Sequence, residues 1–181
     1  ALNINQTSIE YQIFYLSLHP IMEYKSIYIE ETGTRIELTS FTAGDVTELH
    51  AMLHVDPRGD LFEAQLCRIA KAEEYLMATE EAKDAQPVFK RYFLSDAANQ
   101  APLITKSSQC AVSCIQQPPL DGSKIAVWLY LQKGTEVSHM DGSAIVSHNG
   151  YKHIWTMGLL NTSADTSYMQ TWNTLLSYID T

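Results

Sequence analysis

Two cysteines four residues apart, Cys110 and Cys114, are the first pair in this chain to raise a metal or redox reading. On a strand that separation spans about 13 Å along one face, too far for a single ion, and core packing is the competing role. His50 and His54 repeat the spacing and would share a helix face if Val46 to His54 were helical, yet no third or fourth ligand stands nearby. His148 and His153 flank a turn, where the ordinary role is a surface histidine. Tyr92, Trp128, Tyr130, Trp155 and Trp172 have the size and chemistry for an aromatic cleft, and equally for core. A Gly-rich phosphate loop, a G-x-S-x-G elbow and an H-E-x-x-H pair are all missing, which removes nucleotide-binding, hydrolase-elbow and zincin chemistry.

Composition narrows the field further. With 45% hydrophobic and 18% charged residues, the 181-residue chain can bury a core and sits away from disordered composition. Its 12 basic and 21 acidic residues give a net charge of -9, which repels a phosphate backbone unless the cations gather on one face. They do not: Lys90-Arg91 is the one adjacent basic pair, so no nucleic-acid partner is expected. The longest apolar run, Ile125 to Leu131, falls far short of the roughly 20 residues that span a bilayer. The opening Ala1-Leu2-Asn3-Ile4-Asn5 lacks the basic and apolar regions of a retained signal peptide. Three cysteines, an odd number, argue against a disulfide framework and for a reducing cytoplasm.

The elements that must position these residues follow from patterning. Strands are expected at Ile9 to Leu18, Lys25 to Glu31 and Arg35 to Phe41, with Thr32-Gly33-Thr34 as a turn between the last two, and a short strand at Leu49 to Val55. Asp60 with Glu63 three residues later reads as a carboxylate capping box, opening a helix whose apolar stripe is Phe62, Leu66, Ile69 and Leu76. Pro87 to Ser95 reads as a central strand, with Val88, Tyr92 and Leu94 on one side and Phe89 and Phe93 on the other. Ala97 to Ser107 permits a short, broken helix, and Gln109 to Ile115 and Ile125 to Leu131 are strands around a Pro118-Pro119 turn. Gly134 to Gly150 is a polar connection with room for a hairpin around Ser143 to Ser147. Tyr151 to Met157 then reads as a strand, Asn161-Thr162-Ser163 as a cap, and Ala164 to Ile179 as an apolar-striped helix.

This order of hairpin, capped helix, central strand and closing strand pair resembles the RidA/YjgF family, also called the endoribonuclease L-PSP family, over roughly Arg35 to Leu131. Its carriers are Ile36-Glu37-Leu38-Thr39-Ser40, Phe62-Glu63-Ala64-Gln65, Val88 to Asp96 and Pro119 to Leu131. Asp60 and Gln65 have counterparts in Asp165 and Gln170, each opening a striped helix after a strand, as in a second copy of one unit. The resemblance implies an α+β fold, a RidA/YjgF-like mixed β-sheet packed against helices in a chorismate-mutase-like sandwich. It divides the chain into such a domain over 1–133 and, over 134–181, a connection and the opening strand and helix of a second unit, as in the two-copy chorismatase-like branch.

The family further implies a homo-trimer with clefts between subunits that take small carboxylate-bearing metabolites; no cofactor or metal is expected. An Arg forks onto the carboxylate and a Glu positions water for enamine or imine hydrolysis. The Arg should fall at Ser108 to Cys110 and the Glu at Ala126 to Trp128, and neither charge is there. Arg91, one strand earlier, is either a replacement for that fork or part of a sheet-edge or interface ion pair. The expected cleft lies beside Ser40, Arg91, Tyr92, Ser108 and Cys110. The resulting expectation is a metabolite-binding or assembly module. Its rival is a deaminase or chorismatase-like hydrolase whose catalytic residues lie in a C-terminal half, and ribonuclease activity is a third, disfavoured by the acidic charge.

Overall fold

The computed structural model describes residues 21–104, 110–140, 142–158 and 167–177. It is an α+β fold built on a six-stranded mixed sheet. Strands β1 (Ile21–Ile29), β2 (Thr34–Ala43) and β3 (Val46–Val55) form an antiparallel meander, followed by helix α1 (Phe62–Met77) and strand β4 (Gln86–Leu94). A four-residue helix α2 (Ala97–Gln100) and a 3-10 turn (Ala101–Leu103) precede β5 (Ala111–Gln116) and β6 (Ile125–Lys133). Strand order is β1-β2-β3-β6-β4-β5, so β6 and β4 are interior, and only the β4–β5 pair is parallel.

The β2–β3 pairing runs to Ala43 opposite Val46, leaving Gly44-Asp45 as a two-residue hairpin turn. That tight turn is why β3 starts at Val46 rather than at Leu49. The strand expected at Ile9 to Leu18 lies outside the described residues.

Helix α1 covers the sheet face formed by Ile36, Leu38, Leu49, Leu53, Val127 and Leu129, and this is the larger core. Each such side chain, once withdrawn from water, contributes about 1.5–3 kcal/mol. The stripe that α1 buries is Phe62, Gln65, Ile69, Ala72 and Leu76. Gln65 takes the place expected for Leu66 because its amide has work to do: Oε1 accepts from the Lys124 backbone N–H at 2.8 Å, and Nε2 donates to the Asp60 carbonyl. One polar side chain thereby fastens the helix start to the start of β6.

The capping box expected from Asp60 and Glu63 does not form. The N-cap residue is Leu61, with no side-chain cap, and the Asp60 carboxylate lies 2.9 Å from the Arg68 guanidinium. Arg68 also donates to the backbone carbonyls of Asp56 (2.9 Å), Thr32 (3.3 Å) and Gly33 (3.4 Å), clamping the β1–β2 turn to the segment before α1. A charge-assisted bond to this fixed cation outcompetes a cap at a solvent-exposed helix end.

The chain after β6 forms a second, three-stranded antiparallel sheet from β7 (Glu136–Met140), β8 (Ser143–His148) and β9 (Tyr151–Thr156). Asn149 and Gly150 join β8 to β9 with φ of 47° and 80°, the doubly positive turn that matches strand twist. Ala144 and Val146 of β8 pack on Val88, Phe89, Ala111 and Tyr130, so this layer covers part of the main sheet opposite α1. A bulge between Pro87 and Phe89 turns Val88 into this second core, away from Tyr92 and Leu94 with which it was expected to share a side. Helix α3 (Tyr168–Ser177) buries none of its residues, and the cap expected at Asn161 to Ser163 lies outside the described residues. None of the described helices is long and apolar enough to cross a membrane.

Candidate functional site

Strand registers align side chains on the face opposite α1 into rows that cross the sheet. One row reads Tyr28, Arg35, His54, Ala126, Phe93, Ile115; the next reads Ser26, Glu37, Met52, Trp128, Arg91, Ser113. A third reads Tyr24, Thr39, His50, Tyr130, Phe89, Ala111, and on this row the second sheet lies over Tyr130, Phe89 and Ala111. Rows are about 6.7 Å apart and neighbours within a row about 4.8 Å.

Arg91 stands half-buried where the two layers part. Its Nε donates to Ser113 Oγ at 3.2 Å and its guanidinium carbon sits 5.7 Å from the Trp128 ring centre. The bond and the ring locate the group, and among the described residues no carboxylate pairs with it.

Trp128 also donates from Nε1 to His50 Nδ1 at 3.3 Å, and the His50 ring stacks on Tyr130 with centroids 4.6 Å apart. Burial holds the His50 pKa below the usual histidine value, against the raising effect of Glu48, so the ring is neutral at pH 7. Because Nδ1 accepts from Trp128, the single ring proton resides on Nε2, which faces Glu48 at 3.9 Å. Phe89 meets Trp128 edge-on at 4.8 Å, and Trp155 of β9 reaches both Phe89 and Tyr130 at 5.3 Å. Of the aromatics named from sequence, Trp128, Tyr130 and Trp155 meet here; Tyr92 lies on the α1 side and Trp172 on α3.

Beside this cluster, Arg35, His54, Phe93, Ala126, Pro119 and Asp121 line a groove of about 450 Å³. The small Ala126 side chain lowers its floor. Arg35 is tied through Nε to Glu37 at 2.9 Å, and Glu37 also accepts from the Tyr24 and Ser26 hydroxyls. Burial holds the His54 pKa down and Arg35 lowers it further, while Asp121 and Glu37 oppose them.

The residues expected to share one cleft are separated. Arg91 and Tyr92 are consecutive on a strand and point to opposite faces. Tyr92 and Cys110 are buried on the α1 side near the Lys90–Glu73 ion pair, and burial raises both the phenol and the thiol pKa. Ser40, on β2, lines a different groove with Tyr24, Thr42 and Glu81, three strand spacings from β4. Ser108 lies outside the described residues.

Ser113, Trp128 and His50, which complete the Arg91 environment, were not paired with it from sequence. Alternation along β4 puts Arg91 beside Phe89 and Phe93 and is visible in the sequence, but the β4–β5 and β4–β6 registers are not. The positions where the resemblance places a Glu, Ala126 to Trp128, present neutral Ala126 and Trp128 to this face, with Trp128 directly opposite Arg91. Compared with family models, with curated proteins and with solved structures, the chain matches none.

Proposed function

We propose that this chain is a RidA/YjgF-like module that holds a small carboxylate-bearing molecule at Arg91 without turning it over. The observation that carries this reading is the guanidinium itself, fixed by Ser113 and Trp128 and without a carboxylate partner among the described residues. A guanidinium has five N–H donors, and those beyond Nε remain for the bidentate fork that a carboxylate accepts.

Turnover would need a group that takes and returns a proton, and the neighbours are poorly suited. The lone pair of His50 is occupied by the Trp128 N–H. Glu37 shares the Arg91 row but stands three strand spacings away, on the order of 14 Å, and accepts from three donors. The reading includes a homo-trimer whose neighbouring copy closes over this face, as the resemblance implies. It also includes a reducing, cytoplasmic setting, supported by the odd number of cysteines in the chain.

Calorimetric titration with benzoate and its uncharged amide, alongside an imine-hydrolysis assay, tests the proposal. Saturable binding of benzoate, tenfold or more over benzamide, with no release of carbonyl product, is expected. Catalytic imine hydrolysis, or equal binding of the amide, refutes it.

A further inference from the structure

Arg91 is covered on one side and borders a groove on the other. The second sheet packs on Phe89, Ala111 and Tyr130, the row next to Arg91 in one direction. In the other direction lies the end row of the main sheet, where Ala126 of β6 stands between His54 of β3 and Phe93 of β4. These three residues line the groove of about 450 Å³ described above. Met52, which lines it too, belongs to the Arg91 row, one strand beyond Trp128. The connection between β5 and β6 closes the far end with Pro118, Pro119 and Leu120.

The shape and chemistry of this trough select its occupant. Ala126 is a small floor residue between larger side chains on β3 and β4, strands whose backbones are about 9.6 Å apart across β6. Once Met52 and Phe93 have taken their part of that width, a single alkyl chain fits. Polar groups of the lining are engaged or uncharged. Arg35 is neutralised by Glu37 at 2.9 Å, Asp121 Oδ1 accepts from the Ser123 N–H at 2.9 Å, and burial keeps His54 neutral at pH 7. The surface left over is apolar: Met52 and Phe93 are half-buried, and Leu120 at the turn is fully exposed. Covering it removes that surface from water. From Arg91 to Ala126 the diagonal is about 8 Å between backbones, and the proline turn lies beyond.

We infer that the carboxylate-bearing ligand is a medium-chain alkanoate, its head on Arg91 and its chain laid over Ala126 towards Pro119. The inference rests on the function proposed above and adds the class of molecule to it. A two- or three-carbon acid held at Arg91 would leave the trough empty. A second charge at the tail would lie among Met52, Phe93 and the prolines without a free partner, at a cost in desolvation. An unbranched apolar tail meets neither objection.

Calorimetric titration of the whole protein with butanoate, hexanoate and octanoate, beside benzoate, is the test. Each methylene that leaves water should tighten binding by about two- to fourfold, so octanoate is expected to bind at least about 15-fold tighter than butanoate. In Ala126→Leu, whose larger side chain fills the trough, that ratio should drop below about fourfold. In Arg91→Ala octanoate should bind at least about tenfold more weakly. If Ala126→Leu does not fold, the series on the unaltered protein and Arg91→Ala decide the matter. Saturable benzoate binding with octanoate no tighter than butanoate overturns the alkanoate and leaves the carboxylate site at Arg91 standing. Absence of binding by benzoate and by every alkanoate overturns both. Octanoate affinity unchanged in Arg91→Ala, or an unchanged chain-length ratio in folded Ala126→Leu, also overturns the inference.

Discussion

Substituting Gln65 with Leu is the sharpest test of how the main sheet and α1 are joined. Gln65 is only 1% exposed, yet its side chain holds two backbone groups: the Lys124 N–H at 2.8 Å and the Asp60 carbonyl at 3.4 Å. Leu has a similar volume, so the substitution opens no large cavity and isolates the polar loss. The Lys124 N–H dominates, since an orphaned buried donor costs about 1–3 kcal/mol, while the longer bond to Asp60 adds little. Added apolar burial offsets part of this, leaving a net destabilisation of about 2 kcal/mol. With a urea slope of roughly 2 kcal/mol/M, the unfolding midpoint should fall by about 1 M with the slope unchanged. Hydrogen exchange should quicken first at Lys124. An unchanged or higher midpoint would refute the reasoning, because it would mean that Lys124 finds another acceptor at no cost.

Acid should weaken the fold in a window belonging to histidines. Burial holds His50 and His54 below the usual value near 6.5, so the unfolded chain binds more protons and stability falls as pH drops below about 6.5. Carboxylates held low, Asp45 by its bond from His148 and Glu81 by Lys25, lose their contribution only below about pH 4.5. Urea midpoints should therefore decline from pH 7 to 5, and a His50→Gln, His54→Gln double variant should flatten that decline. Gly134→Ala should cost more than about 1 kcal/mol in a denaturant melt. Its φ is 76°, and an added Cβ would fall 2.0 Å from the Asp45 carbonyl oxygen. Arg68→Ala, which removes bonds to three carbonyls and to Asp60, should lower stability by about 3 kcal/mol and raise exchange rates in the β1–β2 turn.

Local chemistry was legible wherever one segment carried its own signal. Thr32-Gly33-Thr34 announces the first turn, Phe62 to Leu76 has helical spacing, and the apolar run Ile125 to Leu131 marks an interior strand. What failed depended on partners distant in sequence. Asp60 has the type of an N-cap, but Arg68 captures it through a geometry that also involves Thr32 and Asp56. Glu136–Met140 reads as polar connection since only Val137 packs inward, and pairing with β8 makes it a strand. The expected cleft grouped Arg91 with Tyr92 although consecutive strand residues face apart. The environment Arg91 does have, Trp128 on one flank and Ser113 on the other, is set by strand registers, which no spacing within β4 reveals.

Binding of a carboxylate to Arg91 is measured most directly by titrating benzoate into Arg91→Ala and Arg91→Lys beside the unaltered protein. Hydrogen bonds to a charged partner are worth about 1.5–3 kcal/mol, so Arg91→Ala should weaken binding by about 10- to 100-fold, and Arg91→Lys should restore only part of it for lack of the planar fork. Affinity for benzoate unchanged in Arg91→Ala would contradict the account.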